Sequence, residues 1–125
     1  MLLAVERGDD EKVVAWMARK LAHLRIFGDE RGKMNRSVRD VGGEVLLVSQ
    51  FTLAGDCTRG HRPSFERAAE PEAGQRLYEA VGRCLGDEFG VPVRTGVFGA
   101  MMRVGLVNEG PVTVIIQRRA ADRNG

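Results

Sequence analysis

The sequence lacks the features that mark membrane, secreted and metal-binding proteins. No apolar run approaches the roughly 20 residues that a membrane-spanning helix needs, and no apolar segment precedes a cleavage site of small residues. Cysteine is scarce, because only Cys57 and Cys84 are present and no CxxC spacing occurs. These absences predict a cytoplasmic protein with no membrane association, no disulfide framework and no zinc site.

Motifs for cofactor-dependent chemistry are missing as well. The chain contains no P-loop, no HExxH metal motif, no dinucleotide-binding fingerprint and no nucleophile elbow. We therefore expect no cofactor and no metal, which favours either an unaided hydrolysis or a binding role.

Length and composition are those of one ordinary globular domain. The 125 residues are 43% apolar and 29% charged, with a formal net charge of +2. This charge is unevenly distributed, because residues 19–39 contain seven basic and two acidic residues, a local charge of +5. Together with Arg59, His61 and Arg62, this segment either binds the phosphate backbone of an RNA or forms ordinary solvated surface.

Hydrophobic periodicity predicts two helices. The first begins after Asp9 or Asp10, either of which can cap it, and its apolar residues recur at three- and four-residue steps to about Arg25. The second has apolar residues at strict four-residue steps between Leu77 and Phe89, and the following glycine is typical of a helix C-cap.

Short apolar runs between turn signals predict the strands of an α+β domain. The run of successive apolar residues at 45–48 is typical of a strand buried on both faces, and we expect this strand to continue through Leu53. At least five strands are expected among residues 1–5, 26–27, 45–53, 91–98, 101–107 and 112–118.

Two segments carry candidate chemistry. Ser49, Gln50 and Thr52 lie at the end of the apolar strand, and they either line a site or lie where the strand end reaches water. The sequence NEGPVT at residues 108–113 is either a hairpin turn or a cis Gly-Pro segment whose unshielded main-chain atoms line a pocket.

These segments and five others resemble the motifs of the D-aminoacyl-tRNA deacylase family, whose members are also called D-tyrosyl-tRNA deacylases. The resemblance runs from about residue 2 to residue 116. Each motif alone is weak evidence for the family, but the occurrence of all of them in the order found in the family is highly specific. The motifs are LRIF at 24–27, GKMN at 32–35, DVGGE at 40–44, SQFTL at 49–53, RPSF at 62–65, FGAMM at 98–102 and NEGPVT at 108–113.

The resemblance implies a single-domain α+β fold with a mostly antiparallel, barrel-like sheet and two main helices. It implies a homodimeric enzyme that hydrolyses the ester joining a D-amino acid, or glycine mischarged on tRNA(Ala), to the terminal adenosine of tRNA, without a cofactor. The alternative is a catalytically impaired homologue that acts only as an RNA-binding or structural dimer.

Roles for single residues also come from the resemblance. Gly110 and Pro111, reaching over from the other subunit, are expected to exclude an L side chain by steric clash. Thr52 is either the nucleophile or, since no activating base is evident, a group that joins Phe51 in supplying main-chain N–H groups while the RNA's own 2′-hydroxyl assists. The implied catalytic residues are Ser49, Gln50, Phe51 and Thr52, the implied substrate-selecting residues are Met101, Asn108, Gly110 and Pro111, and the implied tRNA-binding residues are Lys33, Arg36, Arg59 and Arg62.

The start of the chain departs from the family pattern. Residues 1–5 have the composition of a strand entered midway, and the β-hairpin that precedes this strand in the family has no counterpart. We therefore expect a truncated N-terminus or a mis-assigned start, which would expose sheet edge and core. On this basis residues 1–119 are expected to form the deacylase-like domain and residues 120–125 a polar tail.

Overall fold

Two helices pack on one face of a three-stranded sheet in the computed structural model of the chain, which describes residues 1–124. The α+β class with two main helices is confirmed. No helix in this range is long and apolar enough to cross a membrane. The elements are β1 (Leu2–Leu3), α1 (Glu11–His23), β2 (Phe27–Gly28), β3 (Met34–Arg36), β4 (Val45–Ser49), a 3₁₀ helix (Phe51–Ala54), α2 (Pro71–Asp87), β5 (Val93–Thr95) and a second 3₁₀ helix (Ala120–Asn124).

Helix α1 begins where the sequence predicts a cap. The Asp10 side chain accepts a hydrogen bond from the Val13 N–H at 3.1 Å, which satisfies one of the unpaired donors of the first turn. Ala18 and Ala22 are fully buried on its inner face, where their small side chains let other elements approach closely. The helix ends at His23, so the predicted helix is confirmed to within two residues.

Helix α2 is likewise confirmed. It starts at Pro71, whose fixed φ angle suits the first helical turn. Three of its apolar residues at four-residue steps, Leu77, Val81 and Leu85, are buried. Just beyond its end, Gly90 adopts a φ of +66°, a left-handed conformation that favours glycine and turns the chain toward β5.

The main sheet is parallel, which corrects the expectation of a mostly antiparallel, barrel-like sheet. Strand β4 lies between β1 and β5, with Leu2 opposite Val48 and Val45 opposite Val93. The chain passes through α1 between β1 and β4 and through α2 between β4 and β5, and a helical crossover brings the next strand back in the same direction. Antiparallel pairing within residues 1–124 is confined to the β2–β3 hairpin and two isolated bridges.

The core lies between the helices and one face of β4. Leu47 is fully buried, and the Tyr78 hydroxyl on α2 donates a hydrogen bond to the Leu47 carbonyl at 2.6 Å. On the opposite face the Leu46 side chain is 47% exposed. The expectation of a strand buried on both faces is therefore wrong at Leu46, because both helices pack on the other face.

Residues 101–118 form no strand, although the sequence predicts two there. The segment is exposed, and Met101, Val107 and Ile115 have relative exposures of 100%, 91% and 90%. A strand needs a neighbour that pairs its main-chain groups, and within the described range no strand pairs with this segment. The segment has the alternation of apolar residues that is typical of a strand, but no described strand pairs with its main-chain groups.

Two other predicted strands are shorter than expected, and the end of the chain is ordered as a turn. Strand β4 stops at Ser49 instead of Leu53, because the chain there enters the 3₁₀ helix Phe51–Ala54. Strand β5 covers only Val93–Thr95 of the predicted range 91–98.

Most of the expected polar tail forms the 3₁₀ helix Ala120–Asn124. The last residue of the tail, residue 125, lies outside the described residues.

Candidate active site

The chain turns sharply at the carboxyl end of β4, where all four candidate catalytic residues lie. The Gln50 N–H donates to the Leu3 carbonyl at 2.8 Å, so β1 holds the chain in place up to this residue. The 3₁₀ helix Phe51–Ala54 follows directly. Because the first N–H groups of a helix have no acceptor within it, those of Phe51 and Thr52 can face a ligand. We call residues 49–54 the strand-end turn.

Thr52 is exposed and is not an activated hydroxyl in this arrangement. Its hydroxyl oxygen accepts a hydrogen bond from the Gln50 side-chain amide. Among residues 1–124, no histidine, lysine or carboxylate is hydrogen-bonded to this hydroxyl. A threonine hydroxyl without a neighbouring base is a weak nucleophile.

Phe65 supports the strand-end turn from the loop that follows it. The rings of Phe51 and Phe65 meet edge to face, with centroids 5.3 Å apart and planes at 70°. A Cβ atom on Gly55 would lie 2.9 Å from the Phe65 ring and 2.9 Å from the Thr52 carbonyl oxygen, so glycine is required there. Neither Phe65 nor Gly55 was among the site residues predicted from sequence, and the only signal for Phe65 was its place in the RPSF motif.

Two of the predicted tRNA-binding residues, Arg59 and Arg62, are exposed on the loop over residues 56–64. Main-chain hydrogen bonds between Asp56 and Ser64, at 2.7 and 2.9 Å, close this loop. The Asp56 carboxylate accepts hydrogen bonds from the Thr58 hydroxyl and N–H at 2.7 and 3.0 Å, and these bonds lower the pKa of Asp56. The loop is therefore a closed unit that presents both arginines just after the strand-end turn.

The β2–β3 hairpin presents the other two tRNA-binding candidates, Lys33 and Arg36. The Asp29 carboxylate accepts hydrogen bonds from the Asn35 side chain at 2.7 Å and the Lys33 N–H at 2.9 Å, and these bonds lower the pKa of Asp29. Because the pKa is lowered in the folded state, this contribution to stability is present above the ordinary carboxyl pKa and is lost as the pH falls through the folded value. Arg36 also lies 3.4 Å from the Glu30 carboxylate, which partly neutralises it.

The NEGPVT segment forms a tight, exposed turn. The peptide bond between Gly110 and Pro111 is cis, and Gly110 has a φ of +137°. The Asn108 side-chain oxygen accepts a hydrogen bond from the Val112 N–H at 3.0 Å, which closes the turn. Met101, the remaining substrate-selecting candidate, is fully exposed.

Within residues 1–124 of one copy of the chain, the catalytic candidates are not bonded to the substrate-selecting turn. The four catalytic candidates lie together in the strand-end turn. In residues 1–124 no hydrogen bond, ion pair or ring contact connects them to the turn at residues 108–113. The same range contains no cluster of three or more His, Cys, Asp or Glu residues that could hold a metal ion.

Two solved structures share the fold of this chain. A structure named c-Myc DNA Unwinding Element Binding Protein superimposes with a TM-score of 0.88 at 36% identity, over 95% of this chain and 80% of that one. A second, described as a structural analysis of a probable eukaryotic D-amino acid tRNA deacylase, has a TM-score of 0.68 at 17% identity, over 80% of this chain and 74% of that one. The second likeness shows the shared α+β fold alone.

Sequence comparison then identifies the family. The sequence model of the family described as D-Tyr-tRNA(Tyr) deacylase matches residues 1–117. The D-aminoacyl-tRNA deacylase of Pelobacter propionicus is 57% identical over 118 residues, covering 94% of this chain and 81% of that protein. That of Thermus aquaticus is 59% identical over 116 residues, covering 93% of this chain and 76% of that protein. The chain belongs to the D-aminoacyl-tRNA deacylase family, whose members are hydrolases of charged tRNA, and the resemblance stated from its motifs is confirmed.

Proposed function

We propose that this chain hydrolyses the ester bond of D-aminoacyl-tRNA, and of glycine mischarged on tRNA(Ala), while it rejects L-aminoacyl-tRNA. The observation that carries the proposal is the strand-end turn, which places two main-chain donors beside polar side chains in a chain that matches the family over residues 1–117. The products are the free amino acid and the free tRNA. No cofactor takes part, and the cytoplasm is the compartment in which charged tRNA is found.

The strand-end turn stabilises the negative charge that develops on the ester carbonyl. The N–H groups of Phe51 and Thr52 point toward this oxygen as it becomes an oxyanion, and hydrogen-bond donors held in advance at such a position are a large source of rate enhancement. Ser49 and Gln50 shape the pocket around the amino acid. Since Thr52 has no base, the 2′-hydroxyl of the terminal adenosine assists the reaction, and the protein contributes orientation.

Selection against L-amino acids is made by main-chain atoms of Gly110 and Pro111 from a second copy of the chain. Within one copy these residues are not bonded to the strand-end turn, and their segment is exposed. In a homodimer the two carbonyl groups lie across the pocket and clash with an L side chain, whereas a hydrogen atom or a D side chain fits. Asn108 holds the turn, and Met101 contacts the substrate.

The tRNA backbone binds to two exposed basic elements that flank the site in sequence. Lys33 and Arg36 on the β2–β3 hairpin and Arg59 and Arg62 on the loop over residues 56–64 are the expected phosphate contacts. Phosphate contacts of this kind position an RNA without reading its bases. Affinity should therefore fall as salt concentration rises.

The decisive experiment measures release of the amino acid from D-tyrosyl-tRNA, glycyl-tRNA and L-tyrosyl-tRNA by the purified chain. We expect turnover of the first two substrates and none of the third. Equal turnover of D- and L-tyrosyl-tRNA would contradict the selection step. Retained tRNA binding with no turnover would contradict the enzymatic proposal and support the impaired, RNA-binding homologue instead.

Replacing Thr52 tests its role in the reaction. We expect Thr52→Ala to keep kcat within about tenfold of wild type, because its main-chain N–H remains and its hydroxyl is not activated. Steady-state deacylation of D-tyrosyl-tRNA is the measurement, and the thermal unfolding midpoint checks that the variant is folded. A folded variant without measurable activity would show that the Thr52 hydroxyl is the nucleophile.

A further inference from the structure

The segment that carries Gly110 and Pro111 is long and exposed, so within one copy of the chain its position depends on how its ends are held. Residues 99–117 lie outside every helix and strand. Each residue of such a segment costs about 1–2 kcal/mol of conformational entropy to immobilise. If main-chain atoms in the middle of this segment line a site, both ends of the segment must therefore be firmly attached to the rest of the fold.

The first end is attached to α2 through aromatic packing. Phe98 lies beside Tyr78, with ring centroids 6.0 Å apart, and a Cβ atom on Gly74 would be 3.6 Å from its ring. The sulfur of Met102 lies 3.4 Å from the Val97 N–H, which donates to it. Since Tyr78 is buried, this end is continuous with the core.

The second end is attached to α1 through Arg118. The Arg118 guanidinium lies 5.1 Å from the centroid of the Trp16 ring, within the range of a cation–π interaction. The Arg118 Nε atom is buried, and among residues 1–124 it has no hydrogen-bond partner. The Trp16 ring is thus one contact of this cation, and Lys20 lies over the same ring at 5.2 Å.

Arg119 adds an ion pair to the segment before α1. Its Nε donates to the Glu6 carboxylate at 2.9 Å, and the Glu6 side chain is only 16% exposed. The Arg119 N–H donates to the Asp122 carboxylate at 2.9 Å, which folds the following residues back into a turn. A charge-assisted bond to a largely buried carboxylate is stronger than an ordinary surface pair.

We infer that Arg118 and Arg119 are positioning residues for the deacylation, because together they fasten the far end of the segment that carries Gly110 and Pro111. We call the contacts of Arg118 with Trp16 and of Arg119 with Glu6 the C-terminal clamp. The family model ends at residue 117, so both arginines lie just beyond the part of the chain that this model describes. The inference rests on the proposed function, since it concerns the position of the same selecting residues.

The test compares variants that open the C-terminal clamp from either side with one that removes a different ion pair. Arg119→Ala and Arg118→Ala remove the cations, whereas Glu6→Ala removes the partner and leaves both arginines in place. Arg76→Ala is the matched control, because Arg76 pairs with Glu11 between the two helices. Hydrogen exchange is measured for the amides at positions 119 and 122, whose N–H groups donate to the Asp122 carboxylate and the Arg119 carbonyl. The kcat and KM for D-tyrosyl-tRNA are also measured on the full chain, with Arg119→Lys as the rescue variant.

We expect exchange of these two amides to rise about tenfold in all three clamp variants, because local opening of the turn that follows the segment becomes easier. The kcat should fall about tenfold with KM nearly unchanged, because loss of orientation acts on the chemical step. The Arg119→Lys variant should restore most of the kcat, and Arg76→Ala should resemble wild type in both measurements.

Three results would overturn the inference. Unchanged exchange would show that the clamp does not hold the segment. Faster exchange with unchanged kcat would show a purely structural attachment, and a raised KM in the arginine variants but not in Glu6→Ala would show direct tRNA contacts instead. A wild-type chain with no deacylase activity would overturn the proposed function and the positioning role with it, while the exchange measurement would still decide whether the clamp exists.

Discussion

Gly110→Ala should reduce kcat/KM for D-tyrosyl-tRNA by about a hundredfold and lower the preference for D over L substrates. Gly110 has a φ of +137°, a conformation that L residues with a side chain rarely adopt. A Cβ atom there would lie 3.0 Å from the Val112 side chain and 3.1 Å from the Val112 nitrogen. This φ and these close contacts strain the turn and displace its main-chain atoms, and misplacing a positioned group costs up to roughly a hundredfold in rate.

The matched control is Gly105→Ala in the same exposed segment. A Cβ atom on Gly105 meets no atom within 4 Å, so this variant should keep wild-type kinetics. Deacylation of D- and L-tyrosyl-tRNA is compared for the two variants and wild type at equal enzyme concentration. If Gly110→Ala keeps both its rate and its ratio of D to L turnover, the main-chain atoms of this turn do not select the substrate.

Leu47→Ala should lower the free energy of unfolding by about 3 kcal/mol and the thermal midpoint by about 10 °C. Leu47 is fully buried at the centre of the sheet, and a Cβ atom on Gly82 of α2 would lie only 3.8 Å from its side chain. Truncation removes apolar contacts and leaves a cavity that the packed helices cannot fill. Chemical denaturation followed by circular dichroism measures the effect.

Leu46→Ala is the control on the same strand. Because Leu46 is half exposed on the opposite face, its truncation should cost less than about 1 kcal/mol in the isolated chain. An equal cost for the two variants would contradict the difference in burial between Leu46 and Leu47. A cost for Leu46→Ala that grows with protein concentration would show that a second copy covers this face, as the proposed homodimer allows.

The helices could be predicted from the sequence because their signals are local. The Asp10 cap, the four-residue steps from Leu77 to Leu85 and the terminating Gly90 act within a few residues of the chain. The place of Ser49, Gln50 and Thr52 at the end of β4 was also predictable, because they come directly after a run of apolar residues. Phe65 and Gly55 were not, because their contacts with the strand-end turn depend on how a loop folds back.

The direction and length of the strands could not be read in the same way. The alternation of apolar residues within 101–118 is typical of strands, yet no strand of the described residues pairs with this segment. The resemblance implied an antiparallel sheet, whereas the helical crossovers align β1, β4 and β5 in parallel. Pairing is a property of two segments that are distant in the sequence.

The sequence by itself determined the class of fold, the two helices and the family, since composition, periodicity and motif order are all properties of the chain taken in order. The tertiary structure alone decided that β4 stops at Ser49 and that the main sheet is parallel. It also decided that the segment carrying Gly110 is attached to the rest of the fold at Phe98 and at the C-terminal clamp. The physical reason is that each of these depends on contacts between residues far apart in the chain, whose free energy no single segment contains.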